Sequence, residues 1–112
     1  METRSAYASP MGNASLDGVA EAAEVVDAWR ARLERWRRVR HLLDSAELGK
    51  GRLRHECLQA AGSILQLLAA DEERWGDAPA TRVAELRRLV TRGEVTPAAA
   101  AAREIMAAME VV

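Results

Sequence analysis

Phenylalanine is absent from the 112 residues, tyrosine occurs once and tryptophan three times, so the aromatic part of any core rests on very few side chains. A single cysteine, Cys57, excludes an internal disulfide framework. Prolines number three and glycines seven, which leaves long stretches without a helix breaker. No apolar run approaches the ~18 uninterrupted residues that cross a bilayer, because charges interrupt each one. No membrane-spanning segment is therefore expected. Lysine is nearly missing as well: of the 16 basic residues only Lys50 is not arginine, a usage that fits a GC-rich coding bias. Against 17 acidic residues this gives a net charge of -1, without the basic excess of a general nucleic-acid binder.

What is present suits one helical domain. The chain is 49% hydrophobic and 29% charged, and at this length folding buries roughly 65% of the unfolded surface, enough for one modest core. Residues 1–18 contain Pro10, Gly12 and Gly18 and no secretory apolar segment. They are expected to form a flexible N-terminal segment ahead of a single domain over 19–112, and the product is expected to be cytoplasmic.

From Val19 to about Ser45, Val26, Trp29, Leu33, Trp36 and Leu43 follow the spacing of a one-faced helix, with Val25 and Val39 on the same arc. Arg30, Glu34, Arg37, Arg38 and His41 fall on the opposite arc, and Asp17 or Ser15 would cap the start. Gly49-Lys50-Gly51 then reads as a chain reversal, giving a helical hairpin. Leu53, Cys57, Ala60, Ile64, Leu67 and Leu68 continue on a second helix to about Arg74, and Leu58, Ala61 and Leu65 widen its apolar arc enough for burial on two sides. Pro79 opens a short third helix through Val83, Leu86, Leu89 and Val90 to Arg92-Gly93. Thr96 and Pro97 read as N-cap and first residue of a fourth, with Ala98, Ala101, Ala102, Ile105, Met109 and Val112 inside. The expected class is all-α: a small antiparallel bundle of two long and two short helices.

Catalytic signatures are missing. There is no nucleophile elbow and no phosphate-binding glycine loop, since Gly49-Lys50-Gly51 is far too short for one. Asp71, Glu72 and Glu73 are consecutive on a helix and diverge by ~100° each, so they cannot act as an acid and base pair. His55 and Cys57 point ~200° apart and cannot share a metal. Cys57 sits in the apolar stripe and reads as a small core residue. The chain is therefore expected to be no enzyme, with no cofactor and no metal.

Two surfaces remain as candidates for binding. Between Trp29 and Arg54 nine basic side chains face three acidic ones, whereas the remainder has seven against fourteen. Arg30, Arg37, Arg38, Lys50, Arg52 and Arg54 form a candidate patch for an anionic partner, nucleic acid included, although some of these cations can equally pair within the fold. Arg40 and Asp71 fall on apolar arcs, and hairpin geometry suggests Glu56 as the partner of Arg40. The second surface is Val26, Trp29, Leu33 and Trp36, which serves either as core or as a face for a partner helix or a second copy. The first reading is thus a protein-interaction module, an adaptor or chaperone or homodimer. The runner-up is a small nucleic-acid-binding regulator using the basic hairpin 30–54.

The order of features resembles the flagellin-specific export chaperones of the bacterial flagellum. Tyr7 and Ala14-Ser15 precede a long helix holding Asp27 and Leu33, and Lys50-Gly51 leads into Ala60-Ala61-Gly62-Ser63-Ile64-Leu65-Gln66-Leu67. Gly76-Asp77, Leu86 and Leu89 follow. Val25-Val26-Asp27-Ala28 stands where that family tends to show Leu-Tyr-Asp-Gly, and the paired tyrosines of its later helix are missing. The resemblance implies a helical bundle that holds a partner's helical segment in an apolar groove, with Tyr7 in a mobile segment able to cover it.

Overall fold

A computed structural model describes the backbone of residues 8–76 and 78–110 and the side chains of 19–76 and 78–109. Among them no strand occurs, and five helices follow in order: α1 (Ala8–Leu48), α2 (Gly51–Ala70), α3 (Glu72–Trp75), α4 (Ala80–Thr91) and α5 (Val95–Glu110). The all-α class and the helical bundle hold. The chain divides into two compact units, Met1–Arg32 and Leu33–Val112, and α1 contributes to both.

In the first unit the helix begins at Ala8, well ahead of the expected start at Val19, and runs through Ser15 and Asp17, so neither stands at its start. Pro10 lies in the first turn, where its missing N–H would have no helical acceptor in any case. Gly12 and Gly18 each cost a helix only about 1 kcal/mol relative to alanine, which weakens it without ending it. The expected flexible segment is thus helical in its backbone from Ala8 onward, while residues 1–7 lie outside the described residues.

The second unit carries the core. Trp36, Val39 and Leu43 of α1 meet Ala61, Leu65 and Leu68 of α2, Val83, Leu86 and Val90 of α4, and Ala98, Ala99, Ala102, Ile105 and Met106 of α5. α4 approaches both α2 and α5 closely. α2 buries one stripe, Cys57, Ala61, Leu65 and Leu68. The expected two-sided burial is corrected: Leu53 is 58% and Leu67 54% exposed, and Ala60 is exposed too. The inner residues of α5 likewise include Ala99 and Met106, which the expected stripe omitted, while Val112 lies outside the described residues.

The links between helices follow from backbone chemistry. Gly49 is enclosed, and a Cβ there would lie 3.0 Å from the Ser45 carbonyl oxygen and 3.1 Å from Leu53 Cδ2, so a side chain has no room. Gly51 adopts φ 58°, the left-handed region that glycine enters without a steric penalty. The Nε of Arg54 donates to the carbonyls of Ala46 (3.1 Å) and Gly49 (3.2 Å), satisfying acceptors at the end of α1 from the first turn of α2. Asp71 interrupts the helix expected to reach Arg74. It ends α2 and begins α3, and its Oδ2 accepts a hydrogen bond from Trp75 Nε1 at 3.3 Å. Pro79 is the N-cap of α4, its carbonyl accepting from Arg82 N at 2.9 Å. α5 starts at Val95, so Pro97 occupies its third position and Thr96 is not the cap.

Candidate functional site

The four residues expected to form a partner-binding face do not share one environment. In the second unit Trp36 is fully buried and Leu33 is half-buried against the main core, so both are used inside the fold. Trp36 is thereby removed from any partner-binding role. In the first unit Val26 is 47% exposed and Trp29 half-buried.

The first unit adds apolar surface beyond the four residues of the expected binding face. Val19 is 67% and Val25 49% exposed, and Ala22 and Ala23 are exposed as well. Positions 19, 22, 26 and 29 repeat at intervals of three and four, the spacing of a seam between two helices. Three of the six large apolar side chains exposed among the described residues lie on this short stretch. The signal was present in the sequence, but reading the stripe from Val26 toward the core ignored its continuation backward to Val19. Charge on the same stretch changes sign along the helix: Glu21, Glu24 and Asp27 are exposed acids and Arg30 an exposed base. Arg32, at the end of the unit, is 1% exposed and so is not a surface cation.

The expected anionic-partner patch is dispersed. Arg54 closes the end of α1, and Arg52 lies 3.3 Å from Glu56. Arg37 Nη1 lies 3.5 Å from Glu34 Oε2. Arg30, Arg38 and Lys50 are exposed. Arg40 is exposed and lies 3.9 Å from Asp44, so neither its place on an apolar arc nor its pairing with Glu56 is what the structure shows. Arg37, Arg40 and Arg52 each lie near a carboxylate one turn away on their own helix. Because Arg52 and Glu56 are 91% and 62% exposed, Glu56→Gln is expected to change stability by less than about 0.5 kcal/mol, read from urea denaturation.

Arg103 of α5 reaches α1, donating to Glu47 Oε1 at 2.9 Å and Asp44 Oδ1 at 3.4 Å. The hydrogen bond to Glu47, and the negative charge of both carboxylates, hold its guanidinium above its ordinary pKa. Arg82 joins Glu104 at 2.8 Å, tying α4 to α5. His41 and His55, like both these bridges, lie at the surface.

Two kinds of surface depression accompany these helices. A groove between α2 and α4 has lobes of about 400 and 420 Å3 that share Gln59, Gly62 and Thr91. A second pair, about 290 and 330 Å3, shares Arg37 and His41, with Arg40 and Asp44 on one side and Glu34 and Arg38 on the other. Among the described residues no three His, Cys, Asp or Glu side chains gather as a metal site. Nor is any described helix long and apolar enough to cross a membrane.

The chain matches no family model, no curated protein and no solved structure. The apolar stretch of α1 combines exposure with seam spacing, whereas three of the six cations of the expected patch, Arg37, Arg52 and Arg54, are engaged with neighbours.

Proposed function

We propose that this protein is a non-enzymatic interaction module that docks an amphipathic helix of a protein partner on the face of α1 carrying Val19, Ala22, Val26 and Trp29. The carrying observation is the concentration of exposed large apolar side chains on that stretch. Covering Val19, Val25 and Val26 removes apolar surface from water, at roughly 25 cal/mol per Å2. Arg30, exposed beside the stripe, would set direction and partner choice rather than supply most of the affinity. An adaptor and a chaperone that shields a client's helix both fit this description. The export-chaperone resemblance belongs to the second, and Tyr7, its proposed cover, lies outside the described residues.

The test is a photo-crosslinking side chain placed in the full-length protein in cells. At Val26 it should yield an adduct of defined mass that Val19→Asp suppresses, and at Gln59, in the groove between α2 and α4, it should not. No adduct from Val26 would end this reading.

A second reading rests on the depressions lined by Arg37, Arg38, Arg40 and His41. Phosphates could be held there, making the protein a small nucleic-acid-binding factor. Such binding would fall steeply with added salt, whereas helix docking on the valine stripe would be nearly insensitive to it.

A further inference from the structure

The groove between α2 and α4 gathers the chain's scarce uncharged polar side chains. Gln59 and Gln66 are the only glutamines of the 112 residues. Both line the lobe of about 420 Å3, together with Gly62 and Ser63 of α2 and Arg87 and Thr91 of α4. Leu33–Val112 contains only seven serine, threonine and glutamine side chains, and four of them meet in this lobe. Helical spacing brings them together: positions 59, 63 and 66 share one face of α2, and 87 and 91 stand one turn apart on α4.

Among the described residues neither glutamine carboxamide nor the Arg87 guanidinium has a hydrogen-bond or ion-pair partner. The two hydroxyls have already spent their protons, Ser63 Oγ on the Gln59 carbonyl at 3.2 Å and Thr91 Oγ1 on the Arg87 carbonyl at 2.9 Å. Each hydroxyl has one proton and two lone pairs, so toward the groove both act as acceptors. The carboxamides offer donors and acceptors, and Arg87 offers donors with a positive charge. No carboxylate lines either lobe. A matching ligand therefore brings hydroxyl protons for the acceptors and an oxyanion for Arg87. A neutral sugar lacks the charge, and inorganic phosphate is too small to reach both glutamines, which stand roughly 10 Å apart along α2.

Gly62 keeps the groove deep. It lies in the interior of a 20-residue helix, where glycine is less favourable than alanine. Packing does not require it, because a Cβ there would meet only Val90 Cγ1, at an ordinary 3.7 Å. The missing methyl group instead leaves space in both lobes, which share this residue.

We propose that this lobe binds a small hydroxylated oxyanion, a sugar phosphate or a sugar acid, with its phosphate or carboxylate on Arg87 and its hydroxyls among Gln59, Gln66 and Thr91. The site belongs to the second unit and does not depend on the helix-docking face of the first. Its volume of about 420 Å3 lies within the usual range of small-molecule sites, about 300–1,000 Å3. Gln59, Gln66, Arg87 and Thr91 are all exposed, so the ligand exchanges freely with solution rather than staying as a resident group.

The experiment is a nuclear magnetic resonance titration of the full-length chain with glucose 6-phosphate and with gluconate. At millimolar ligand at least one of them should shift the side-chain amide signals of Gln59 and Gln66 and the backbone N–H of Gly62 in a saturable way. Binding of the phosphate ester alone marks the ligand as a sugar phosphate, and binding of gluconate alone marks it as a sugar acid. Glucose and inorganic phosphate should bind at least about tenfold more weakly than the better ligand, and Arg87→Gln should weaken that ligand by about as much while the circular dichroism stays unchanged. Gly62→Ala should melt at a higher temperature than the parent chain and yet lose most of the binding, a split that a merely structural glycine does not give. No shift from either ligand overturns the proposal. Equal shifts with inorganic phosphate also overturn it, as the mark of an adventitious ion only, and so does undiminished affinity in Arg87→Gln or Gly62→Ala. A protein adduct captured at Gln59 would put a macromolecule in the groove and overturn it as well, whereas the docking face of α1 is judged by the adduct at Val26 alone.

Discussion

Replacing Trp36 with alanine is expected to lower stability by about 3–5 kcal/mol, the usual range for truncating a fully buried large aromatic. Domains of this size hold only about 5–15 kcal/mol in total, so the variant should lose most of its margin and melt far earlier, by roughly 4–8 °C for each kcal/mol. Trp36 is fully buried among residues of α1, α2, α4 and α5, so its loss opens a void that no single neighbour can fill. Trp29, seven residues earlier on the same nominal stripe, is half-buried, and Trp29→Ala should cost distinctly less. Thermal unfolding followed by circular dichroism compares the two directly. Equal losses would mean that both tryptophans belong to one core and that the first unit has no free face to offer.

The second large effect lies in the alanine run of α5. Ala98, Ala99 and Ala102 are fully buried, while Ala100 is exposed. An aspartate at Ala99 would place a carboxylate in the core, while Arg103 one turn on is exposed and already engaged by Glu47 and Asp44, and an uncompensated buried charge costs about 3–5 kcal/mol. Ala100→Asp, one residue on, should cost only the helix-propensity difference, about 0.7 kcal/mol. Chemical denaturation of the pair reads the phase of α5 against its neighbours. Comparable midpoints would show that the helix is rotated from the orientation described.

That pair also shows where sequence reading stops. Helix identity, the turns at Gly49-Lys50-Gly51 and Pro79, and the end of α4 near Arg92-Gly93 were legible because glycine, proline and apolar spacing act locally. Five consecutive alanines from Ala98 carry no periodic signal, so which of them faced inward depended on α4 and α1, and Ala99 was missed. The break at Asp71 was hidden for a similar reason. An aspartate within an otherwise helical pattern is unremarkable until its side chain accepts from Trp75 and its backbone leaves the helix.

The candidate face was half legible. Val26 and Trp29 were picked out by spacing, but the same spacing also selected Leu33 and Trp36, which the core of the second unit takes. A stripe records only that one side of a helix is apolar; whether that side meets its own chain or another is decided by the other helices. The basic cluster failed for a different reason. Its charges were counted along the chain, yet Arg54 turned back to the carbonyls of α1 and Arg52 and Arg37 found carboxylates one turn away.

Cys57 closes the small cluster with Ala46 of α1 and Val95 at the start of α5, and its thiol is the chain's single sulfhydryl. Its residue is only 7% exposed, so ready access for a labelling reagent calls for Ala46 or Val95 to move aside. The speed of thiol modification under native conditions is thus a built-in gauge of how often that junction breathes, separate from global melting. The same atom that offers nothing to chemistry in the closed fold supplies a clock for its opening.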